Sequence, residues 1–170
     1  MDEKNLDIYD HKPIAWSRAL TQLELQTGEE GHGRTHWLAT VSPDSRPHVA
    51  AVGALWVDGK FYFTSSARTR KSRNLATNPS WTISVSLDDL DLAVAGAARV
   101  VTDKATLERL VSLYVAQGWP ARAIDGAITA EFSAPSAGPA PCQLYEVTPS
   151  AAVAVATAEP HGATGWRFDR

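Results

Sequence analysis

KFYFTSSARTRKSRNLATNP, residues 60–79, begins as a strand and ends as a short helix. Phe61, Tyr62 and Phe63 are a strand-forming aromatic run directly after the turn signal Asp58-Gly59, the pattern of a strand leaving a hairpin. The small hydroxyl residues Thr64, Ser65 and Ser66 follow, and then four cations in six positions: Arg68, Arg70, Lys71 and Arg73. Asn74, Leu75 and Ala76 continue for a helical turn until Asn78-Pro79 stops it. A strand that feeds hydroxyls and cations into a helix start suits an anion, because free backbone N–H groups and the positive end of the helix dipole point the same way. Phosphate is the obvious anion. Four cations also fit a plainly solvated face. Against that, cations at a helix start oppose the dipole, at roughly 0.3 kcal/mol each, until an anion arrives.

On the N-terminal side, residues 1–12 carry little apolar content and read as a flexible arm. From Pro13, the apolar positions Ile14, Ala15, Ala19, Leu20 and Leu23 recur at helical spacing up to Thr27-Gly28, with Trp16 as a packing residue. Thr35 to Val41 is β-rich, and Ser42-Pro43-Asp44-Ser45-Arg46-Pro47 punctuates it. His48 to Val57 is almost continuously apolar, so that strand is buried on both faces or bends at Gly53. With Lys60 to Ser65 it makes a third strand in antiparallel succession.

On the C-terminal side, Trp81 to Leu87 alternates with the period of a half-buried strand, and Leu92 to Val101, after an acidic turn, is a fifth strand. Five strands in a meander imply a barrel or a strongly coiled sheet. Asp103 is placed to start a helix carrying Leu107, Leu110, Val111, Tyr114 and Val115 on one face, ended by Gly118. Trp119 to Glu131 reads as a further short helix and Ser133 to Pro141 as an aperiodic loop. Cys142–Val147 and Ala151–Val155 read as two closing strands around Thr148-Pro149, and Thr164 to Phe168 as an edge pairing.

The chain of 170 residues is one domain by length, and 44% hydrophobic content supplies a core. A net charge of −3 argues against non-specific nucleic-acid binding, so the partner of the local cation run is a small molecule. One cysteine, Cys142, forms no intrachain disulfide, which suits a reducing cytoplasm. No signal peptide is legible at the N-terminus, and no run approaches the ~20 apolar residues of a membrane span. Of five histidines, only His32 and His36 share i, i+4 spacing, without a clustered carboxylate, so a metal site is not expected. There is no GxSxG elbow, HExxH or serine or cysteine triad, which fits a site whose cofactor carries the chemistry.

The order strand, Thr-Ser, Arg-Lys-Ser-Arg-Asn-Leu, Asn-Pro, preceded by an Asp-x-Arg-Pro-His hairpin, resembles the pyridoxamine 5'-phosphate oxidase-like, FMN-binding split β-barrel superfamily. Within it the chain looks most like the actinobacterial flavin/deazaflavin oxidoreductases, many of which use coenzyme F-420. The match runs from about His32 to Val101, and Trp166-Arg167-Phe168 is similar to that family's ending. The resemblance implies a mainly β (α+β) chain, an antiparallel split β-barrel with peripheral helices, built as a homodimer with sites at the interface. It places the backbone of His48, Val49, Ala50 and Ala51 along the ring, with the His48 side chain either polarising the ring or simply satisfied within its strand. Thr64 and Ser65 meet the ring's polar edge or ribityl chain, and Arg70 and Lys71 hold phosphate, Lys71 foremost. Asn74 lies beside them or only caps the helix. Trp166 and Arg167 reach a cofactor pocket from the tail, that of their own chain or of the partner subunit.

FMN has one phosphomonoester, whereas coenzyme F-420 has a phosphodiester and a polyglutamate tail. Arg68, Arg70, Lys71 and Arg73 exceed the needs of one monoester, which favours the deazaflavin with FMN as the alternative. The implied activity is hydride transfer to a conjugated organic substrate. A pyridoxamine phosphate oxidase proper, or a non-enzymatic flavin or haem carrier, are the other readings.

Overall fold

The computed structural model describes residues 1–27 and 34–169. Its strands are β1 (Asp2–Asn5), β2 (His36–Val41), β3 (Pro47–Val52), β4 (Ala54–Val57), β5 (Lys60–Ser65), β6 (Ser80–Ser86), β7 (Leu90–Val101), β8 (Arg122–Ile124), β9 (Ala127–Thr129), β10 (Gln143–Ala156) and β11 (Ala163–Arg167). Its helices are α1 (Trp16–Thr27), α2 (Arg70–Thr77) and α3 (Lys104–Ala116), with one 3-10 turn at Pro135–Ala137.

Nine strands join in one antiparallel sheet, ordered β3-β2-β6-β7-β10-β5-β4, with β11 and then β1 added along the second half of β10. The 14 residues of β10 pair with β7 along one edge, and their other edge is shared between β5 and β11. The sheet curls far enough that its two ends, β3 and β4, are consecutive in the chain and separated only by Gly53. β3 pairs only with β2, and β4 only with β5. The barrel is therefore split rather than closed, and the split runs through Gly53.

Alternation fills the barrel. His36, Leu38 and Thr40 on β2, Trp81, Ile83 and Val85 on β6, and Leu90, Leu92 and Val94 on β7 are buried, while their neighbours turn outward. Ile14, Ala19 and Leu23 of the α1 region join this core, and Trp16 packs edge-on against Trp56, Trp166 and Phe168. A second cluster lies outside the barrel, where Leu107, Leu110 and Tyr114 of α3 cover Leu55, Tyr62 and Leu144. Asp103 caps α3, accepting from the Thr106 N–H at 2.9 Å.

Five expectations change. The strand from His48 to Val57 is two strands, because the bend at Gly53 exchanges one pairing partner for another. Consecutive β5 and β6 do not pair; α2 carries the chain across, so the order departs from a simple meander. Residues 122–129 form a hairpin instead of a helix, its Asp125-Gly126 turn holding both residues at positive φ, as Asp58-Gly59 does. The two closing strands are one strand, whose irregularity between Pro149 and Ala151 is accommodated opposite Gly96. A Cβ at Gly96 would lie 2.0 Å from the Thr148 carbonyl oxygen, so only glycine admits this approach. Residues 2–5, read within the arm, pair with β11 as an edge strand.

Candidate functional site

The seam of the barrel is a cavity. Ala51 to Leu55 run along it, from the end of β3 across Gly53 into β4, and it encloses about 420 Å³, within the range of small-molecule sites. Edge strands present backbone N–H and C=O groups that no neighbouring strand consumes, so the seam offers both a flat wall and hydrogen-bonding capacity to a ring.

One flank is the junction of β5 with α2. Thr64 lines the cavity. Ser65 does not, because its fully buried hydroxyl belongs to a cap network: it lies 2.7 Å from Thr69 Oγ1 and accepts from Ser72 Oγ at 3.0 Å. Thr69 Oγ1 in turn accepts from the Ser72 N–H at 3.3 Å, starting α2. The first turn of α2 holds no acidic residue against its cations.

Those cations separate. Arg68, Arg70 and Arg73 are exposed and form no salt bridge among the described residues. Lys71 turns inward, is 3% exposed, and its Nζ donates to the Ser136 carbonyl at 2.6 Å in the cavity wall. Burial pulls its pKa below the usual lysine value, slightly offset by the nearby Cys142 thiol, and burial likewise raises that thiol. An ammonium has three protons to donate, and a single neutral carbonyl is its only partner among the described residues.

The other walls come from distant segments: Gln26 at the end of α1, His36 on β2, Tyr114 and Gln117 at the end of α3, Trp119, and the strap 133–137. Tyr114 and Trp119 meet edge to face, with centroids 5.1 Å apart. Their polar atoms are committed, since the Tyr114 hydroxyl donates to the Tyr62 carbonyl and Trp119 Nε1 donates to the Phe132 carbonyl. His36 is 3% exposed, rests against Phe61, and leaves Nδ1 without a partner among the described residues. Burial depresses its pKa to about 4, despite an opposing hydrogen bond to the Arg34 backbone, so the ring is neutral at pH 7.

Of the residues expected at the site, Ala51, Thr64 and Lys71 line the cavity, whereas Val49 and Ala50 do not. The strand contributes three or four residues later than expected, because the seam opens at Gly53. His48 lies outside the lining but close to the cations. Burial lowers its pKa, then the charges of Arg70 and Lys71, and its Nδ1 is buried without a partner. Asn74 is structural, its Nδ2 donating to Thr40 Oγ1 at 3.0 Å and tying α2 to β2. Trp166 is a core residue, 1% exposed, with Nε1 donating to Glu3; Arg167 is exposed on β11. Neither reaches the cavity of this chain. His32 lies outside the described residues, and no cluster of three metal-ligating residues occurs among the described ones.

The sequence profile of pyridoxamine 5'-phosphate oxidase matches residues 31–156, which contain every cavity-lining residue except Gln26. The chain belongs to the pyridoxamine 5'-phosphate oxidase family. No curated protein matches it. Among solved structures it is similar to an F-420 reductase, at 26% identity and a TM-score of 0.53 over 78% of this chain and 93% of that one. A pyridoxamine 5'-phosphate oxidase-related, FMN binding protein from Nostoc punctiforme PCC 73102 aligns at 16% identity and a TM-score of 0.56, over 92% and 98% of the two chains. A nimC/nimA family protein from Clostridium acetobutylicum aligns at 16% identity and a TM-score of 0.59, over 88% and 92%. In this pyridoxamine 5'-phosphate oxidase family member, the unpaired strand edges, the aromatic side chains of Tyr114 and Trp119 and an ammonium with donors unused among the described residues fit a ring cofactor that carries an anionic chain. No helix among the described residues is long and apolar enough to cross a membrane.

Proposed function

We propose that this protein is a reductase that takes reduced coenzyme F-420 at the barrel seam and serves hydride transfer to a conjugated, electron-poor small molecule. The observation that carries the reading is Lys71, a buried ammonium whose one partner among the described residues is a carbonyl, within a cation run that has no acidic counterpart in its helix turn. When bound, the deazaflavin supplies the hydride; the protein's part is to hold and orient. Lys71 anchors the phosphodiester, the seam edge from Ala51 to Ala54 and Thr64 hydrogen-bond the ring system, and Tyr114 and Trp119 exclude water from one side. Arg68, Arg70 and Arg73, exposed and without a salt bridge among the described residues, lie where a polyglutamate tail would run. Likeness to an F-420 reductase supports this choice. FMN is the second reading, because Lys71 alone satisfies one phosphomonoester and FMN-binding relatives share the fold.

The chain works as a homodimer in this reading. The outward faces of β2, β3 and β10 leave Trp37, Val49, Val153 and Val155 exposed by 52%, 56%, 44% and 49%, apolar area that a second copy would cover. Sedimentation should give twice the 18.3 kDa chain mass, and a micromolar monomer would remove the shared-site arrangement. A lone cysteine, buried at Cys142, suits the reducing cytoplasm.

Titrating apo-protein side by side with FMN, F-420 and a tail-less deazaflavin tests the cofactor. F-420 should bind most tightly at low salt and lose its margin over the tail-less form as salt rises. Tightest binding of FMN, or a protein that purifies yellow with flavin, would replace the deazaflavin with FMN and leave the fold untouched.

A further inference from the structure

The segment Ser133 to Gly138 crosses the mouth of the anion site. Two of its carbonyls dock on donors a phosphate would use, and a hydroxyl ties it to the seam edge. The Ser136 carbonyl accepts from Lys71 Nζ at 2.6 Å, the Ala137 carbonyl accepts from the Ser66 N–H at 2.8 Å, and Ser136 Oγ donates to the Ala51 carbonyl at 3.4 Å on the seam edge. Ala137 is buried at 8% exposure. Gly138 holds φ at 77°, so close against α2 that a Cβ there would lie 2.9 Å from both Ser66 Cβ and Thr69 Cγ2. The strap is thus seated by glycine-only packing and by carbonyl oxygens that stand where anion oxygens would stand.

We propose that this strap is an internal latch: its Ser136 and Ala137 carbonyls occupy Lys71 and the Ser66 amide in the empty protein, and the cofactor's phosphate displaces them. The inference rests on the reading of Lys71 as the cofactor's anion anchor. A neutral carbonyl leaves the ammonium's charge uncompensated, whereas a phosphate oxygen compensates it through a shorter, charge-assisted bond, so the exchange runs toward the anion. Beyond these contacts the strap has little to hold it. Its 3-10 turn contains one backbone bond, from the Ala137 N–H to the Ala134 carbonyl, and the segment joins the rest of the fold through Pro139 and Pro141 rather than through a sheet ladder. While the latch is closed the site does not count as binding-competent, and the apparent affinity falls by the open fraction.

Unseating the strap should therefore tighten binding, the opposite of what damage to a site does. Gly138→Ala meets Ser66 and Thr69, and Ala137→Leu overfills a buried seat; the two unseat the strap independently, so a folding defect in one leaves the other. Both variants and wild type are titrated with FMN, coenzyme F-420 and riboflavin, the last lacking any phosphate. The unlatched proteins should bind the phosphate-bearing cofactors about three- to tenfold more tightly, with riboflavin unchanged, in proportion to the closed fraction removed. Hydrogen exchange at the amides of residues 134–138 should also quicken in wild type when either phosphate-bearing cofactor saturates it. Equal or weaker binding by both variants, or strap exchange that saturation leaves unchanged, would overturn the latch while the cofactor site stands. Loss of the cofactor reading shows separately, as cofactor affinity indifferent to Lys71→Met.

Discussion

Glu146 and Lys71 are withdrawn from solvent to the same degree, 4% and 3% exposed, and their surroundings treat them in opposite ways. Glu146, on β10, accepts from Lys60 Nζ at 3.0 Å and Arg99 Nε at 2.8 Å through one oxygen and from the Tyr62 hydroxyl at 2.9 Å through the other. Burial pushes its carboxyl pKa up, but the bonds from Arg99, Lys60 and Tyr62 outweigh that and hold it below the usual value. Among the described residues Lys71 has no carboxylate and one neutral partner, and its pKa is depressed by burial. A buried charge that is fully paired serves the fold; a buried charge left half-paired at a cavity is stability spent on a ligand.

The largest effect expected is at the neutral end of the cavity, where a third buried ionisable group sharpens the contrast. The folded pKa of His36 is about 4 against an ordinary 6.5, so the unfolded chain binds the proton first as pH falls. Stability tied to His36 is complete above pH 6.5 and is lost through about pH 4, on the order of 3 kcal/mol in all. Urea unfolding of wild type and His36→Phe across that window should show the acid slope flattened in the variant. Parallel curves would mean that the imidazole is not buried neutral.

Next comes the paired charge. Glu146→Leu leaves the Tyr62 hydroxyl buried without its partner, while Lys60 and Arg99, with side chains 35% and 60% exposed, turn to water. That partial escape limits the loss to about 2 to 3 kcal/mol in chemical denaturation, with cofactor affinity unchanged. A variant that lost affinity without losing stability would put Glu146 with the site instead of with the fold. The smallest effect belongs to the exposed cations: Arg68→Ala or Arg73→Ala should each shift F-420 affinity by only about 0.5 kcal/mol at low salt and by nothing measurable at high salt. A larger, salt-independent loss would mean that these arginines fold back onto the ligand.

How much of this was legible in the sequence follows the range of each interaction. The run from Phe61 to Leu75 reads correctly as strand then helix because the signals that set those elements are local: the aromatic strand follows its Asp-Gly turn, and Thr69 caps the helix it precedes. Hairpin 122–129 carried the same Asp-Gly signal as residues 58–59, but two three-residue strands are too short for alternation to declare itself. Pro149 read as a break, and only the opposing Gly96 lets β10 run through it. Cavity walls from Gln26, Tyr114, Trp119 and Ser136 meet only in the folded chain, and no spacing announces them. Trp166 packs on the core of its own chain, and as sequence an aromatic tail that caps a core looks like one that reaches a ligand.

The comparison comes down to whether the half-paired ammonium is there for an anion, and Lys71→Met answers that in one experiment with two readings. Cofactor affinity and unfolding free energy are measured on the same preparations of wild type and variant. Affinity should fall by about one to two decades, roughly 1.5 to 3 kcal/mol, while stability holds or rises because an incompletely compensated buried charge has been removed. Unchanged affinity together with lost stability would make Lys71 a structural cation like those around Glu146 and move the anion site elsewhere.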